Sequence, residues 1–471
     1  MQVRQSILIA LVALCTFANA QYQLLYNFSA ASHANPLSSL TSDGTFLYGM
    51  TEYGGSSDSG FIFKIKPDGT GYTELLDFNG QNGSTPYECS LFYNQGFLFG
   101  MTHYGGSGSY CSNGCGVLFK IKTDGTGFTK VLDFAGLANG SEPAGSLIFD
   151  GTFLYGIASG GGINDDGVIF KIKPDSTGYA DLYNFSGSPD GKFPCGSPVS
   201  DATFLYGMTA QGGVNDFGII FKVKPDGTGY TKLLDFDGAV NGRFPQGSLI
   251  YDETFLYGMT SYGGANDKGV VFKIKSDGTG YSKLVDFAGY SNGENPNGDL
   301  ISDGTFLYGM TTKGGEQGSG TVFKIKPDGT EYSKIVDFKG LENGSYPYGS
   351  LNSLDNALYG MTIGGGAYNT GVIFKIDLSY HAGIADYKID SDISIFPNPF
   401  STLINVQTKN DLKGATLILY NSLGEVVREI KNISGKKFSI PRGNLPNGPY
   451  FISITQHGEM ITTRKIITGD Q

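Results

Sequence analysis

The sequence predicts an all-β protein, a seven-bladed β-propeller followed by a small Ig-like β-sandwich, and three observations lead there. The string FLYGM, ending at Met50, returns as FLFGM at Met101, FLYGI at Ile157, FLYGM at Met208, Met259 and Met310, and ALYGM at Met361. Its spacing is 51 residues except for one interval of 56, between Phe99 and Tyr155, where SGSYCSNGC is inserted. A period near 50 residues is that of kelch-like propellers. Composition agrees: 72 Gly, 13% aromatic and only 16% charged residues among 471 point to strands and turns with aromatic packing.

Each unit reads as four short strands, which make one blade. An example is SLIF, the turn Asp150-Gly151, TFLYG, a Gly-rich loop, GVIFKI, a Pro-Asp turn and ADLYNF. The Asp-Gly pairs fit type I′ hairpins, where both central residues take positive φ. The strands are almost continuously apolar, as expected for sheets covered on both faces. The repeat begins in mid-unit: YQLLYNF, ending at Phe28, matches the fourth strand of later units, and the last unit stops after its third strand at Ile376. Pairing these two pieces closes the ring and removes an open edge.

With strands alternating in direction, the Asp-Gly and Pro-Asp-Gly turns share one face and the varied loops share the other. Binding residues sit on loops held by a rigid scaffold, so the varied face is the expected ligand face. Its candidates are Glu52, Tyr53, His103, Tyr104, Gln211, Tyr262 and Lys313, with Ser159, Ser261 and Ile363 in equivalent loops. Tyr53, Tyr104 and Tyr262 each precede Gly-Gly and offer rings for stacking on sugars, although the chain has no Trp.

The FLYGMT, YGG, GVIFKIKPDGTGY and LLDF elements from Tyr22 to Ile376 resemble the GloVer-type tandem repeats of bacterial choice-of-anchor surface proteins. That resemblance implies fold and location, and no particular chemistry.

The two ends define export. Arg4, the apolar run ILIALVALC and Ala18-Asn19-Ala20 read as a signal peptide cleaved between Ala20 and Gln21. The run is too short for a membrane anchor, and Leu14 before Cys15 does not suit a lipoprotein signal. Residues 377–392 read as a linker, and 393–471 as a run of short strands. Pro397-Asn398-Pro399, Gly424 in the turn after Asn421, Leu445 to Gly448, Tyr450 and Lys465 resemble the type A sorting domain of the type IX secretion system. The resemblance implies passage through the periplasm and the type IX machinery, removal of the domain by a sortase-like protease, and attachment to a surface glycolipid.

No phosphate loop, HExxH or paired-Cys zinc spacing occurs, and the four His stand at 33, 103, 381 and 457. No cofactor is expected; Asn-Gly loops could offer carbonyls to calcium, but the acidic alternation of calcium loops is missing. A net charge of −11 argues against nucleic acid, and no later segment is apolar enough to span a membrane. Asp77, Asp133, Asp235, Asp286 and Asp337, with Asn27 and Asn184, recur at one position and are expected to satisfy backbone donors. Glu52, Asp58, Asp165, Asp166, Asp216 and Asp267 are read as unrepeated acids from which an enzymatic pair would have to come. Cys111 and Cys115 are expected to form a disulfide, Cys89 and Cys195 to be free and buried. The expectation is a non-enzymatic surface binding or adhesion protein with a glycan or protein ligand; the alternatives are a polysaccharide hydrolase or lyase and a structural surface coat.

Overall fold

In a computed structural model the described residues are 21–29, 34–378, 393–421, 426–456 and 459–469. The chain divides into two compact units, one spanning 19–380 and one containing 381–471. Residues 1–20, with Ala20, residues 379–392 of the expected linker and Gly424 lie outside the described residues, as do His33, His381 and His457, whereas Asp377 belongs to the last strand of the first unit.

Seven four-stranded antiparallel sheets make up the first unit, and no helix occurs among the described residues. The first sheet contains Thr41–Ser42, Leu47–Thr51, Phe61–Ile65 and Thr73–Asp77, in that order. The seventh takes Asn352–Leu354, Ala357–Thr362 and Val372–Asp377 from the end of the unit and its fourth strand, Gln21–Asn27, from the start, with Tyr22 opposite Ile376.

Successive sheets are joined by one repeated contact. The Phe that ends each LLDF-type strand lies edge-on to the Phe of the next sheet's FKI strand. The pairs Phe78–Phe119, Phe134–Phe170, Phe185–Phe221, Phe236–Phe272, Phe287–Phe323 and Phe338–Phe374 have centroids 5.1–5.6 Å apart. Phe28, carried by the strand borrowed into the seventh sheet, meets Phe63 of the first at 5.6 Å, so the series closes on itself. Such edge-to-face pairs add about 1 kcal/mol each to simple burial. The same Phe explains the Gly of FLYGM: a Cβ on Gly49 would lie 2.5 Å from Phe63 Cζ, and one on Gly258 2.7 Å from Phe272 Cζ. Glycine is placed here for close approach, at backbone angles any residue could adopt.

A second circuit runs around the innermost positions. Each ring residue donates its backbone N–H to the side chain of the next unit: Ser146 to Ser197, Ser197 to Ser248 (2.7 Å each), Ser248 to Asp299 (2.5 Å), Asp299 to Ser350 (2.7 Å), Ser350 to Ser39 (2.8 Å) and Ser39 to Ser90 (2.9 Å). Ser90 alone departs, donating to the Gly145 carbonyl at 2.9 Å.

Turn chemistry corrects the type I′ expectation in five sheets. At Asp43-Gly44-Thr45-Phe46 only Gly44 has positive φ. Asp43 Oδ1 accepts the Thr45 and Phe46 N–H at 2.8 Å while Oδ2 takes the Tyr48 hydroxyl, so the side chain closes the turn that a second left-handed residue would otherwise close. Ala202 (φ 69°) and Glu253 (φ 74°) hold the Gly44 position in other sheets. Two left-handed residues do occur at Gln95-Gly96 and Asp355-Asn356, where no such Asp is present.

The second unit is a five-stranded antiparallel sheet in which Leu403–Tyr420 pairs with both Val426–Pro441 and Gly448–Gln456. These first two strands are 18 and 16 residues long, not the short strands expected, because bulges absorb the irregular residues between Gln407 and Ala415 without ending the pairing. Phe400, Ile404, Leu417, Ile452 and Ile466 form its core. The sorting-motif residues support its edges. Asn398 Oδ1 accepts the Ile467 N–H (2.7 Å), the Tyr450 hydroxyl donates to the Pro446 carbonyl (3.1 Å), the Leu445 side chain is buried, and Gly448 N–H donates to Thr468 (3.0 Å). Pro397 and Pro399 both follow cis peptide bonds, and Lys465 pairs through its backbone with Phe451.

Candidate functional site

The two faces of the ring differ in chemistry. Within residues 21–378, the twelve exposed large apolar side chains all belong to loops of the varied face or to the strand ends that enter them. Tyr53, Tyr110, Ile163, Val214, Tyr262 and Tyr368 lie in the loops after FLYGMT-type strands; Leu137, Phe193, Val240, Tyr290, Leu341 and Tyr346 lie in the connections between sheets. Ile163 and Val214 are 76% and 75% exposed. On the other face Asp68, Asp124, Asp175, Asp226, Asp277 and Asp328 each cap their own turn through a Thr, and no large apolar side chain is exposed there among the described residues.

The recurring LLDF acids hold the loop face together. Asp77, Asp133, Asp235, Asp286 and Asp337 accept the N–H of the residue that follows the Gly-Gly pair, at 2.9–3.1 Å, and Asn27 and Asn184 do the same. Asp58, Asp165, Asp216 and Asp267, read from the sequence as unrepeated, are in fact equivalent. Each accepts the N–H of the first Gly of its own loop and has φ of 50–64°, a conformation that Asp tolerates well. They are loop caps, and the Asn-Asp pairs at 164–165, 215–216 and 266–267 repeat with the 51-residue period. Asp166, whose carboxyl burial raises, supplies the carbonyl that accepts Phe193 N–H. The Asn of the Asn-Gly loops is likewise committed: Asn241 donates to the Asp235 carbonyl (3.0 Å) and accepts Asp237 N–H (2.7 Å). No group of three or more His, Cys, Asp or Glu suited to a metal is found among the described residues.

Seven residues that precede a proline form an inner ring which the sequence reading missed. Asn35, Thr85, Glu142, Phe193, Phe244, Asn295 and Tyr346 all have φ between 42° and 56°. This conformation costs a non-glycine residue about 1 kcal/mol or more, and seven copies persist because the backbone is held on both sides. Phe244, for instance, donates to the Phe217 carbonyl and accepts from Ser261 N–H. Strained residues gather at functional sites. The signal available in the sequence was the residue before a proline, which recurs every 51 residues from Pro143 to Pro347.

Each of these residues faces the position after FLYGMT, where the units differ. Ser159, Ser261 and Thr312 donate a hydroxyl hydrogen bond to the next unit's Pro carbonyl, at 2.9–3.0 Å. Glu52 and His103 hold this position in the first two units, and around them the candidates converge. Glu52 is buried and accepts from Asn35 and Tyr53. Tyr348 donates to Glu88 Oε1 at 2.6 Å, and its hydroxyl lies 3.4 Å from that of Tyr87. The Tyr87 ring stands edge-on to His103 (5.5 Å), which in turn stands edge-on to Tyr104 (4.6 Å). Desolvation holds the Glu52, Glu88 and Glu142 carboxyls above their ordinary value and lowers the His103 imidazole to about 4, the Pro143 carbonyl partly opposing it. His103 Nε2 is 3.9 Å from Glu142, and its buried Nδ1 makes no hydrogen bond.

The remaining candidates stand apart from this cluster. Tyr262, 40% exposed against 41% for Tyr53, has the Arg243 guanidinium 5.5 Å from its ring; Arg243 also packs on Phe217 and Phe244 and bridges to Asp267. The three Tyr-Gly-Gly tyrosines are therefore not equivalent. Gln211 pairs with Lys192, and exposed Lys313 pairs through its backbone with Glu294. Cys111 and Cys115 are joined by a disulfide in the inserted loop, whose Tyr110 reaches Asp165 at 3.2 Å. Cys89 and Cys195 are buried free thiols that donate to Pro143 and Pro245 carbonyls.

Inside the ring circuit lies a cavity of about 330 Å³, lined by the ring serines, Asp299, Gln246, Asn297, Glu88 and Tyr348. Glu88 and Tyr348 thus belong both to the cavity wall and to the loop-face cluster.

A closed circuit of repeated four-stranded sheets with one apolar loop face, joined to a separate β-unit, defines an all-β repeat protein. The Gloeobacter/Verrucomicrobia repeat matches residues 12–200, 149–275 and 252–418, and the chain belongs to that family. Residues 394–468 match the secretion system C-terminal sorting domain, so the protein is a type IX export substrate destined for the cell surface or the extracellular space. No helix among the described residues is long and apolar enough to cross a membrane. No curated protein matches the sequence. Among solved structures, an oligogalacturonate lyase in complex with manganese is 13% identical (TM-score 0.51), with 76% of this chain and 93% of that one covered. The extracellular domain of a hybrid two-component system from B. thetaiotaomicron is 11% identical (TM-score 0.50; 95% and 57% covered). PorZ, an essential bacterial surface component of the type IX secretion system of Porphyromonas gingivalis, is 13% identical (TM-score 0.49); 94% of this chain is covered, and it spans 61% of PorZ. At these identities the likeness is one of fold.

Proposed function

We propose that the protein is a surface-displayed binding or adhesion protein: a closed seven-bladed propeller, residues 21–376, presents its loop face to a glycan or protein ligand. The observation that carries this reading is the confinement of all twelve exposed large apolar side chains to that face. Monomeric surfaces rarely segregate apolar groups so completely without a partner. In the same reading residues 1–20 are a signal peptide, 377–392 a linker and 393–471 an Ig-like sorting domain. A sortase-like protease removes that domain and transfers the chain to a surface glycolipid.

The test is a glycan-array and polysaccharide pull-down screen with the purified protein, scoring retention and release of reducing ends. Retention without release, weakened by Tyr53→Ala or Tyr262→Ala, is expected. Release would instead support a hydrolase or lyase, a second reading favoured by the nearness of Glu52 to Glu88 and of Glu142 to His103. Silence on both counts against glycan binding and leaves a protein ligand or a surface coat.

A further inference from the structure

We infer that the cluster formed by Glu52, Glu88, Tyr87, Tyr348 and His103, of which Glu88 and Tyr348 also line the cavity inside the ring, is a binding subsite for an alkylammonium group carried by the ligand. The inference rests on the loop-face reading above and names the chemistry of its most distinctive part.

Its first support is that this is where the ring departs from its own repeat. In five units the connection into the innermost strand reads Pro-x-Gly-Ser or Pro-x-Gly-Asp, as in Pro245 to Ser248 and Pro296 to Asp299, and in the first it is Pro36-Leu37-Ser38-Ser39, of the same length; here it is Pro86-Tyr87-Glu88-Cys89-Ser90, one residue longer. The extra residue breaks the ring circuit at Ser90, which bonds a backbone carbonyl in place of a side chain. It also places a carboxylate in the cavity wall. Glu52 and His103 stand where Ser159, Ser261 and Thr312 carry locking hydroxyls and Ala210 and Ile363 carry none, and His103 meets the Pro143 carbonyl that a hydroxyl would take there. A side-chain link of the ring has been given up at Ser90, and the residues gained there meet Glu52 and His103.

The second support is the chemistry they make. Glu52 and Glu88 repel each other, and the groups acting on them are Tyr53, Asn35, Tyr87 and Tyr348, with no lysine or arginine. Tyrosine hydroxyls and an amide share the carboxylate charge without neutralising it. His103 stays uncharged at neutral pH and supplies no cation. Desolvated carboxylates beside aromatic rings attract a cation both through the ring faces and through charge-assisted N–H···O bonds. Buried His103 Nδ1, which has no partner of its own, is a further unmet polar atom at the site. The third support is room: the cavity behind Glu88 and Tyr348, about 330 Å³, is at the lower end of small-molecule sites. It suits an ammonium on a short stem, and its other ionisable group is Asp299, again acidic.

The test uses the full chain and n-butylammonium, with n-butanol as its uncharged match, followed by calorimetry or by ligand-observed NMR. Butylammonium is expected to bind with one-to-one stoichiometry, and butanol at least about tenfold more weakly. Glu88→Gln and Glu52→Gln are each expected to weaken butylammonium by a similar factor. Neither replacement removes a well-compensated charge, so thermal melts should stay within a few degrees of the parent and keep a loss of binding interpretable. Should a Gln variant melt early, Tyr348→Phe, which removes only the hydroxyl facing Glu88, is measured in its place and should also weaken binding. Equal binding of butanol, absence of butylammonium binding, or binding indifferent to these substitutions would overturn the assignment. The glycan screen separates the two levels: retention weakened by Tyr262→Ala, together with no ammonium binding, removes this subsite and leaves the loop-face reading standing.

Discussion

Replacing Asp299 by Ser is expected to stabilise the protein by about 1–2 kcal/mol at neutral pH, the range of substitutions that restore a repeat's consensus. Six of the seven ring positions are already serine, and Ser248 shows what the serine does: its Oγ accepts the Ser197 N–H at 2.7 Å. Asp299 accepts the Ser248 N–H in the same way, so the exchange retains the hydrogen bond and removes a charge. That charge faces a cavity whose lining includes Glu88 and no Lys, Arg or His. Desolvation dominates over the Ser248 and Ser350 hydrogen bonds and holds the carboxyl above its ordinary value. The sign of the pH dependence follows. A carboxyl raised in the folded state carries no penalty when both states are protonated, below about pH 4. The penalty grows as pH rises through the unfolded value and is complete above the folded one. Urea denaturation of parent and D299S across this range should give curves that converge in acid and separate toward neutrality, with the variant the more stable. A variant less stable at neutral pH, or a gain that persists undiminished in acid, would refute the account of an uncompensated carboxylate.

Further outcomes follow from single contacts. Ala202→Gly and Glu253→Gly should each raise stability by about 0.5–1 kcal/mol in urea melts, because both residues hold φ near 70° where Gly44, Gly151 and Gly304 stand in other sheets with nothing near the missing Cβ. Phe28→Ala should cost about 3–5 kcal/mol, the usual loss for a fully buried Phe, since it breaks the contact with Phe63 that closes the circuit; a cost similar to that of an exposed aromatic in the same melts would argue against closure. Asn241→Ala should cost about 1–3 kcal/mol by leaving the Asp235 carbonyl and Asp237 N–H without partners. Deleting residues 393–471 should leave the protein in the periplasm by cell fractionation; normal amounts at the surface would contradict a sorting role.

The repeat made the scaffold legible because its contacts repeat with it. Phe78, Gly49 and Asp77 do the same work in every unit, so a period of 51 residues already carried the sheet count, the borrowed first strand and the structural role of the LLDF acids. The loop caps Asp58, Asp165, Asp216 and Asp267 obey the same period, since Asn164-Asp165, Asn215-Asp216 and Asn266-Asp267 recur at 51 residues; they were misread because the sequence does not show that each side chain turns back to the first Gly of its own loop. The hairpins were misread because Asp-Gly describes two geometries, and the hydrogen bonds of the Asp side chain choose between them.

Site residues were hardest to see because they are the departures from the pattern. Glu52, Tyr53, His103 and Tyr104 could be chosen as varied loop positions, but a linear sequence gave no reason to set them apart from Gln211 or Lys313. What separates them is the neighbourhood of Tyr87, Glu88, Glu142 and Tyr348, drawn from the second, third and seventh units, and the ring closure brings those units beside the first. Tyr348 and Glu88 are 260 residues apart in sequence and 2.6 Å apart in space. A repeat protein therefore shows its scaffold through what recurs and its site through what fails to recur once the ring is closed. The extra residue at Tyr87-Glu88-Cys89 is offset by a loop one residue shorter before Pro86, so the 51-residue spacing does not show it, and closure places it against Tyr348 and beside Glu52.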